Sequence, residues 1–96
     1  MSHNKQHEVE TLKEFFKVLS DTTRVRIILL LRDNPLSVTN IASHLAMEQS
    51  AISHQLKILY KERFVTYTRH GKERIYAILD NHIYEIIAQA SAHLTE

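Results

Sequence analysis

The chain has 96 residues, 44% of them hydrophobic and 24% charged, with a formal net charge of +1. That describes one folded domain, whose modest core makes a dimer interface an advantage. The absence of cysteine excludes disulfides and thiolate metal sites, and no apolar run approaches the length of a membrane span.

The opening MSHNKQHEVE is polar and lacks the apolar region of a signal peptide, so a cytoplasmic protein is expected. Residues 1–7 read as a flexible arm carrying His3 and His7. From Glu8 to Leu19, the residues Val9, Leu12, Phe15, Phe16 and Leu19 recur at helical spacing. Asp21 is placed to cap the next helix, expected over about 22–32. Its run VRIILLL is apolar nearly all round and should form the central buried helix. Asp33, Asn34 and Pro35 end it.

Ser37 can cap a short helix over 38–45, with Ile41, Ala42 and Leu45 inward. After a turn at 46–48, a second helix runs over about 49–61 with Ile52, Leu56 and Leu59 inward. Residues 38–61 therefore form a helix-turn-helix. The outward residues at the start of its second helix are Gln49, Ser50, Ser53 and His54, with Gln55 and Lys57 beyond. Hydroxyl, amide, imidazole and ammonium groups suit base edges and phosphates in a major groove. An ordinary polar helix face is the plainer alternative.

Residues 64–79 alternate in character on either side of HGKE, which marks a β-hairpin with glycine in its turn. Arg69, Lys72 and Arg74 crowd its tip. Between positions 57 and 74 stand six basic residues (Lys57, Lys61, Arg63, Arg69, Lys72, Arg74) against two acids (Glu62, Glu73). A basic hairpin after a recognition helix is a wing, able to reach a phosphate backbone. On charge alone, a solvated basic face explains it equally.

The last stretch, 80–96, should be an amphipathic helix through Ile83, Ile86, Ile87, Ala90 and Leu94, capped by Asp80 or Asn81. His93 follows His82 by eleven positions, which is only about 20° round the helix but about 16 Å along it. Glu96 lies three residues beyond His93, and Asp80 folds back beside His82. One helix cannot close both histidines on an ion whose bonds are about 2 Å long. Two copies packed antiparallel about a two-fold axis can, giving two equal sites of Asp80 and His82 from one copy with His93 and Glu96 from the other. Geometry alone leaves open a solvated face bearing two histidines and two carboxylates.

The segments LSDTTRVRIILLL, SAISHQLKIL and RHGKERIYAI, with D-x-H followed by H-x-x-E at the end, resemble the ArsR/SmtB family of metal-responsive bacterial repressors. The resemblance runs from about residue 10 to 96. It implies a mainly α winged helix-turn-helix with a β-hairpin, dimeric through its terminal helices. It also implies the zinc-sensing branch, whose ligands carry over as Asp80, His82, His93 and Glu96. Arsenic and cadmium/lead members place cysteines where this chain reads LSVTNIA, so their thiolate site is absent, as is the thiol chemistry of redox-sensing relatives.

The expected protein is a homodimeric repressor whose apo form binds double-stranded operator DNA. Gln49, Ser50, Ser53, His54, Lys57, Arg69, Lys72 and Arg74 supply the contacts. Zn(II), with Co(II) as a substitute, weakens that binding and derepresses genes of metal efflux or resistance. A nickel/cobalt sensor drawing extra ligands from His3, His7 or the α-amine of Ser2 is the alternative. A hydrolase is disfavoured, because four protein ligands leave zinc no open position. A dimerisation module that does not bind DNA is disfavoured by the basic wing.

Overall fold

A computed structural model describes residues 3–96. Its elements in order are α1 (His3–Val18), α2 (Thr22–Asp33), β1 (Leu36–Ser37), α3 (Val38–Leu45), α4 (Gln49–Lys61), β2 (Val65–His70), β3 (Glu73–Ile78) and α5 (Asn81–Leu94). The three strands form one antiparallel sheet in the order β1-β3-β2. This is the winged helix-turn-helix that the sequence pattern predicts, with two departures at the level of elements.

The first is α1, which begins at His3 and takes in residues 3–7, expected as a flexible arm. Lys5, Gln6, Glu8 and Glu10 are good helix formers, and no glycine or proline interrupts the segment. The Thr11 hydroxyl donates to the His7 carbonyl at 2.5 Å, one turn back. Ser2, with its α-amine, lies outside the described residues. The second is β1, two residues long, with Leu36 opposite Tyr76 and Ser37 opposite Ile75. Two residues are too few for an alternation to be visible in the sequence.

Side-chain caps set the helix starts. The Asp21 carboxylate accepts from Arg24 N–H at 3.0 Å, and the Ser37 hydroxyl accepts from Asn40 N–H at 3.1 Å. Both helices of the helix-turn-helix end with a residue in the left-handed region, Ala46 at φ 53° and Arg63 at φ 67°. After α3, Met47 N–H reaches the Ala42 carbonyl and Ala46 N–H reaches that of Ser43. After α4, Phe64 N–H reaches Leu59 and Arg63 N–H reaches Tyr60. Each pattern is a Schellman stop, satisfying carbonyls that the helix end would orphan. The second one turns the chain so that Phe64 and Val65 enter the core as the wing begins.

The core is built from Ile27, Ile28 and Leu31 of α2, Ile41 of α3, Ile52, Leu56 and Leu59 of α4, Phe64, and Val65, Tyr76 and Ile78 of the wing. These inward positions agree with the sequence pattern. The central helix is less enclosed than its composition implies, since Leu29 is 36% exposed. Helix α1 is held by Phe15, which stacks on Phe64 with centroids 4.7 Å apart, and by Val18 and Leu19. Its other apolar residues, Val9, Leu12 and Phe16, are 49%, 51% and 58% exposed. Helix α5 docks through Ile83 and Ile87 and leaves Tyr84, Ile86 and Leu94 exposed. The first and last helices thus each carry an uncovered apolar face.

Candidate nucleic-acid interface and metal centre

Helix α4 buries Ile52, Leu56 and Leu59 completely, which fixes its rotation and turns the opposite side outward. Gln49, Ser50, Ser53, His54 and Lys57 are all exposed, as the sequence pattern predicts. Gln55 is not free: its side-chain oxygen accepts from the Arg24 guanidinium at 3.1 Å. Arg24 also donates through Nε to the Val18 carbonyl at 2.8 Å. This one side chain therefore ties the end of α1 to the middle of the recognition helix.

The wing is a hairpin with a two-residue turn, Gly71-Lys72, flanked by His70 paired with Glu73. Gly71 sits at φ 64°, where a β-carbon is disfavoured. On one face of the hairpin, Val65 lies opposite Ile78, Tyr67 opposite Tyr76 and Arg69 opposite Arg74. Burial falls off along that face, from a core pair to two cations at the tip. Like charges directly opposed on a sheet repel, so the tip favours an anion between or beside them.

Between α4 and this face of the wing runs an open groove of about 740 Å³. Gln49, Ser53, Lys57, Lys72 and Arg74 line it, together with Tyr60, Tyr67 and Tyr76. Five of the eight expected contact residues thus converge on one feature, while Ser50, His54 and Arg69 are exposed outside it. The tyrosines line the groove but are not among the residues the sequence pattern singles out. Tyr60 stands three positions after Lys57 on the same helix face, and Tyr67 and Tyr76 share the inward alternation of the hairpin. Those spacings were available as a signal. The tyrosines form a series, with centroids 5.2 Å apart for Tyr60–Tyr67 and 5.3 Å for Tyr67–Tyr76. The Arg74 guanidinium lies 4.6 Å from the centre of the Tyr67 ring. Hydrogen bonding to Tyr76, with the nearby Tyr67 phenol, holds Arg74 above its ordinary pKa, so it stays charged.

At the start of α5, Asp80 serves two groups at once. One carboxylate oxygen accepts from Ile83 N–H at 3.3 Å and caps α5; the other lies 3.4 Å from His82 Nδ1. Partial desolvation pushes this carboxyl up, but hydrogen bonds from His82 and Ile83 N–H outweigh it and hold the pKa below 3.8. Glu96 stands just beyond the helix end at Thr95, with its carboxylate 3.8 Å from His93 Nδ1. All four side chains are accessible: His82 is 84% and His93 81% exposed.

The four expected ligands are therefore gathered as two pairs, one at each end of α5, not as one cluster. Among the described residues, no three such side chains converge within the chain. A tetrahedral zinc with bonds of about 2.0–2.1 Å requires neighbouring ligand atoms about 3.3–3.4 Å apart. The Asp80–His82 pair already has that separation at 3.4 Å, and the His93–Glu96 pair is wider at 3.8 Å. Two nitrogens and two carboxylates also make a donor set that zinc accepts.

A family model described as "Bacterial regulatory protein, arsR family" matches residues 21–67, from the cap of α2 into the wing. The chain is 35% identical over 89 residues to a transcriptional repressor SmtB homolog of Synechocystis, covering 93% of this chain and 67% of that protein. It is 36% identical over 77 residues to the HTH-type transcriptional regulator NmtR of Mycobacterium tuberculosis, covering 80% of this chain and 64% of the relative. The chain thus spans about two thirds of the length of these curated relatives. Its fold matches the homodimeric winged helix-turn-helix DNA-binding domain Mb0332 of Mycobacterium bovis. The TM-score is 0.92 at 23% identity, covering 100% of this chain and 89% of that one. With this fold and these relatives, the chain belongs to the arsR family of bacterial regulatory proteins.

Proposed function

We propose that the chain is a metal-responsive transcriptional repressor that binds duplex DNA as a homodimer. The observation that carries the DNA reading is the groove between α4 and the wing, where Lys57, Lys72 and Arg74 meet Gln49 and Ser53. Cations there suit phosphates, and the short polar side chains of α4 suit base edges. Dimerisation is supported by the uncovered apolar residues of α1 and α5 and by the homodimeric state named for the Mycobacterium bovis domain. Two heads related by a two-fold axis read an inverted repeat whose half-site spacing is fixed by the dimer.

The regulatory ligand in this reading is Zn(II). Asp80 and His82 supply half of each site; the partner's His93 and the partner's Glu96 supply the rest. Zinc, when bound, cross-links the start of one α5 to the end of the other. The wing strand β3 ends at Ile78, only two residues before Asp80. Leu79 N–H is also bonded to the Phe64 carbonyl at the wing's other root, at 3.0 Å. A constraint at Asp80 and His82 therefore acts on the base of the wing and on the spacing of the two heads. DNA affinity falls when that spacing departs from the half-site separation, and DNA must weaken zinc binding by the same factor. The genes released would be those of metal efflux or resistance.

A nickel or cobalt sensor is the second reading. It is favoured by α1 starting at His3, which places positions 3 and 7 one turn apart on a helix. The absorption of the Co(II) complex decides, since tetrahedral Co(II) absorbs strongly in the visible and six-coordinate Co(II) weakly. The zinc reading expects the strong spectrum, unchanged when His3 and His7 are replaced by alanine. Fluorescence anisotropy of promoter DNA from the chain's own locus, with and without zinc, tests regulation. Zinc should lower affinity in the unsubstituted protein and leave His82→Ala unaffected.

A further inference from the structure

Tyr67 was not among the expected contact residues, yet it stands at the centre of the groove. Its ring is the middle member of the series from Tyr60 on α4 to Tyr76 on β3, and it lies beneath the Arg74 guanidinium at 4.6 Å. In the hairpin register, Tyr67 faces Tyr76 while Arg74 faces Arg69. Tyr67 and Arg74 are therefore diagonal neighbours on one face, a separation that an aromatic ring and a long side chain can bridge. The facing Arg69 repels Arg74, while hydrogen bonding to Tyr76 and the Tyr67 π-face draw it back toward the groove. The guanidinium is well inside the distance at which it stacks on a ring.

We infer that Tyr67 is a positioning residue: its ring holds the Arg74 guanidinium over the groove, pre-set for a DNA phosphate. This deepens the DNA-binding reading and rests on it. An exposed arginine at a hairpin tip otherwise samples many rotamers and must lose that freedom on contact. Stacking on Tyr67 removes part of that loss before DNA arrives. Tyr60, its centroid 5.2 Å from that of Tyr67, fixes the ring relative to the recognition helix. The phosphate contact from the wing and the base contacts from α4 are thereby held in one frame. The ring is the feature required; the Tyr67 hydroxyl is not.

The test uses the full chain and a fluorescein-labelled duplex of mixed sequence, with the binding constant measured against salt concentration. Loss of one phosphate contact lowers the log–log slope by about 0.9. Arg74→Ala should lose that amount of slope. Tyr67→Leu should keep the slope and weaken binding roughly two- to ten-fold at every salt concentration, the cost of ordering one freed side chain; Tyr67→Phe should weaken it hardly at all, and Tyr67→Leu added to Arg74→Ala should cost nothing further. NMR gives an independent reading in the free protein: the Arg74 Hε resonance should be shifted upfield by the ring and should return on Tyr67→Leu. That reading decides if Tyr67→Leu proves too unstable to titrate, because an unshifted Arg74 Hε in the unsubstituted chain overturns the inference. So does a Tyr67→Leu affinity equal to that of the unsubstituted chain, or a Tyr67→Leu loss that persists in full beside Arg74→Ala. An Arg74→Ala slope that does not change overturns it as well. Absence of salt-dependent binding by the unsubstituted chain would instead sink the DNA reading, and this inference with it.

Discussion

Ala46 and Arg63 hold left-handed backbone conformations that cost a residue with a β-carbon about 1–2 kcal/mol. Both stop a helix of the DNA-reading unit, and neither side chain is in the core. Ala46→Gly relieves the strain at the expense of a more flexible unfolded chain, so the net gain should be about 0.5–1 kcal/mol. Thermal denaturation of a domain this size should register it as a rise of a few degrees. A lower melting temperature would mean that the Ala46 methyl contributes more than its backbone costs. Asp80 caps α5 and, in the proposed function, also ligates zinc. Asp80→Asn keeps an oxygen for the cap but removes the carboxylate, so folding should survive while any zinc affinity of the proposed site collapses. The carboxyl's pKa is depressed in the folded chain. Its contribution to stability is therefore complete above about pH 4–5 and is lost as pH falls through the folded value. Melting curves of Asp80→Asn and the unsubstituted chain should converge in acid.

Among the elements, α2 to α4 and the hairpin were readable because local chemistry and burial agree. Asp21 and Ser37 cap where they stand, and Ile52, Leu56 and Leu59 keep strict helical spacing into the core. The extent of α1 was not readable, since a polar helix former gives no sign of whether it continues a helix or frays from it. Nor was β1, which exists only because Leu36 and Ser37 meet β3. The tyrosine series was missed because it joins a helix to two strands, a proximity created by the fold. Gln55 was assigned outward by periodicity; Arg24, thirty-one positions away, turns it inward. Gln55→Ala should cost about 1 kcal/mol by leaving part of the Arg24 guanidinium unpaired. It should also loosen α1, which hydrogen exchange along residues 8–18 would register. The exposed stripe of α1 makes a separate prediction. If the proposed dimer packs through this face, Leu12→Glu and Phe16→Glu should shift it to monomer in analytical ultracentrifugation and leave the core and the helical circular dichroism intact. Unfolding of either variant would place that face in the monomer's own core.

At the scale of the whole molecule, the proposed function is divided between two features. The tyrosine-lined groove lies between α4 and the wing, and the Asp80–His82 and His93–Glu96 pairs lie at the two ends of α5. The sequence spacing made both pairs legible, and a metal held by all four residues would require a second copy, because eleven helical residues separate the histidines by about 16 Å. The central claim is that each metal site is shared between two chains, and mixed dimers test it most directly. His82→Ala and His93→Ala homodimers each lose one imidazole from both sites and should bind zinc weakly. Re-annealing the two variants together produces a heterodimer in which one site has lost both histidines and the other retains its full set. Titration with zinc should therefore recover one tight site per heterodimer. That site should weaken below about pH 6.5, as neutral imidazole ligands require. If zinc were held within single chains, every chain in the mixture would still lack a ligand. Absence of a recovered tight site would contradict the shared, antiparallel arrangement.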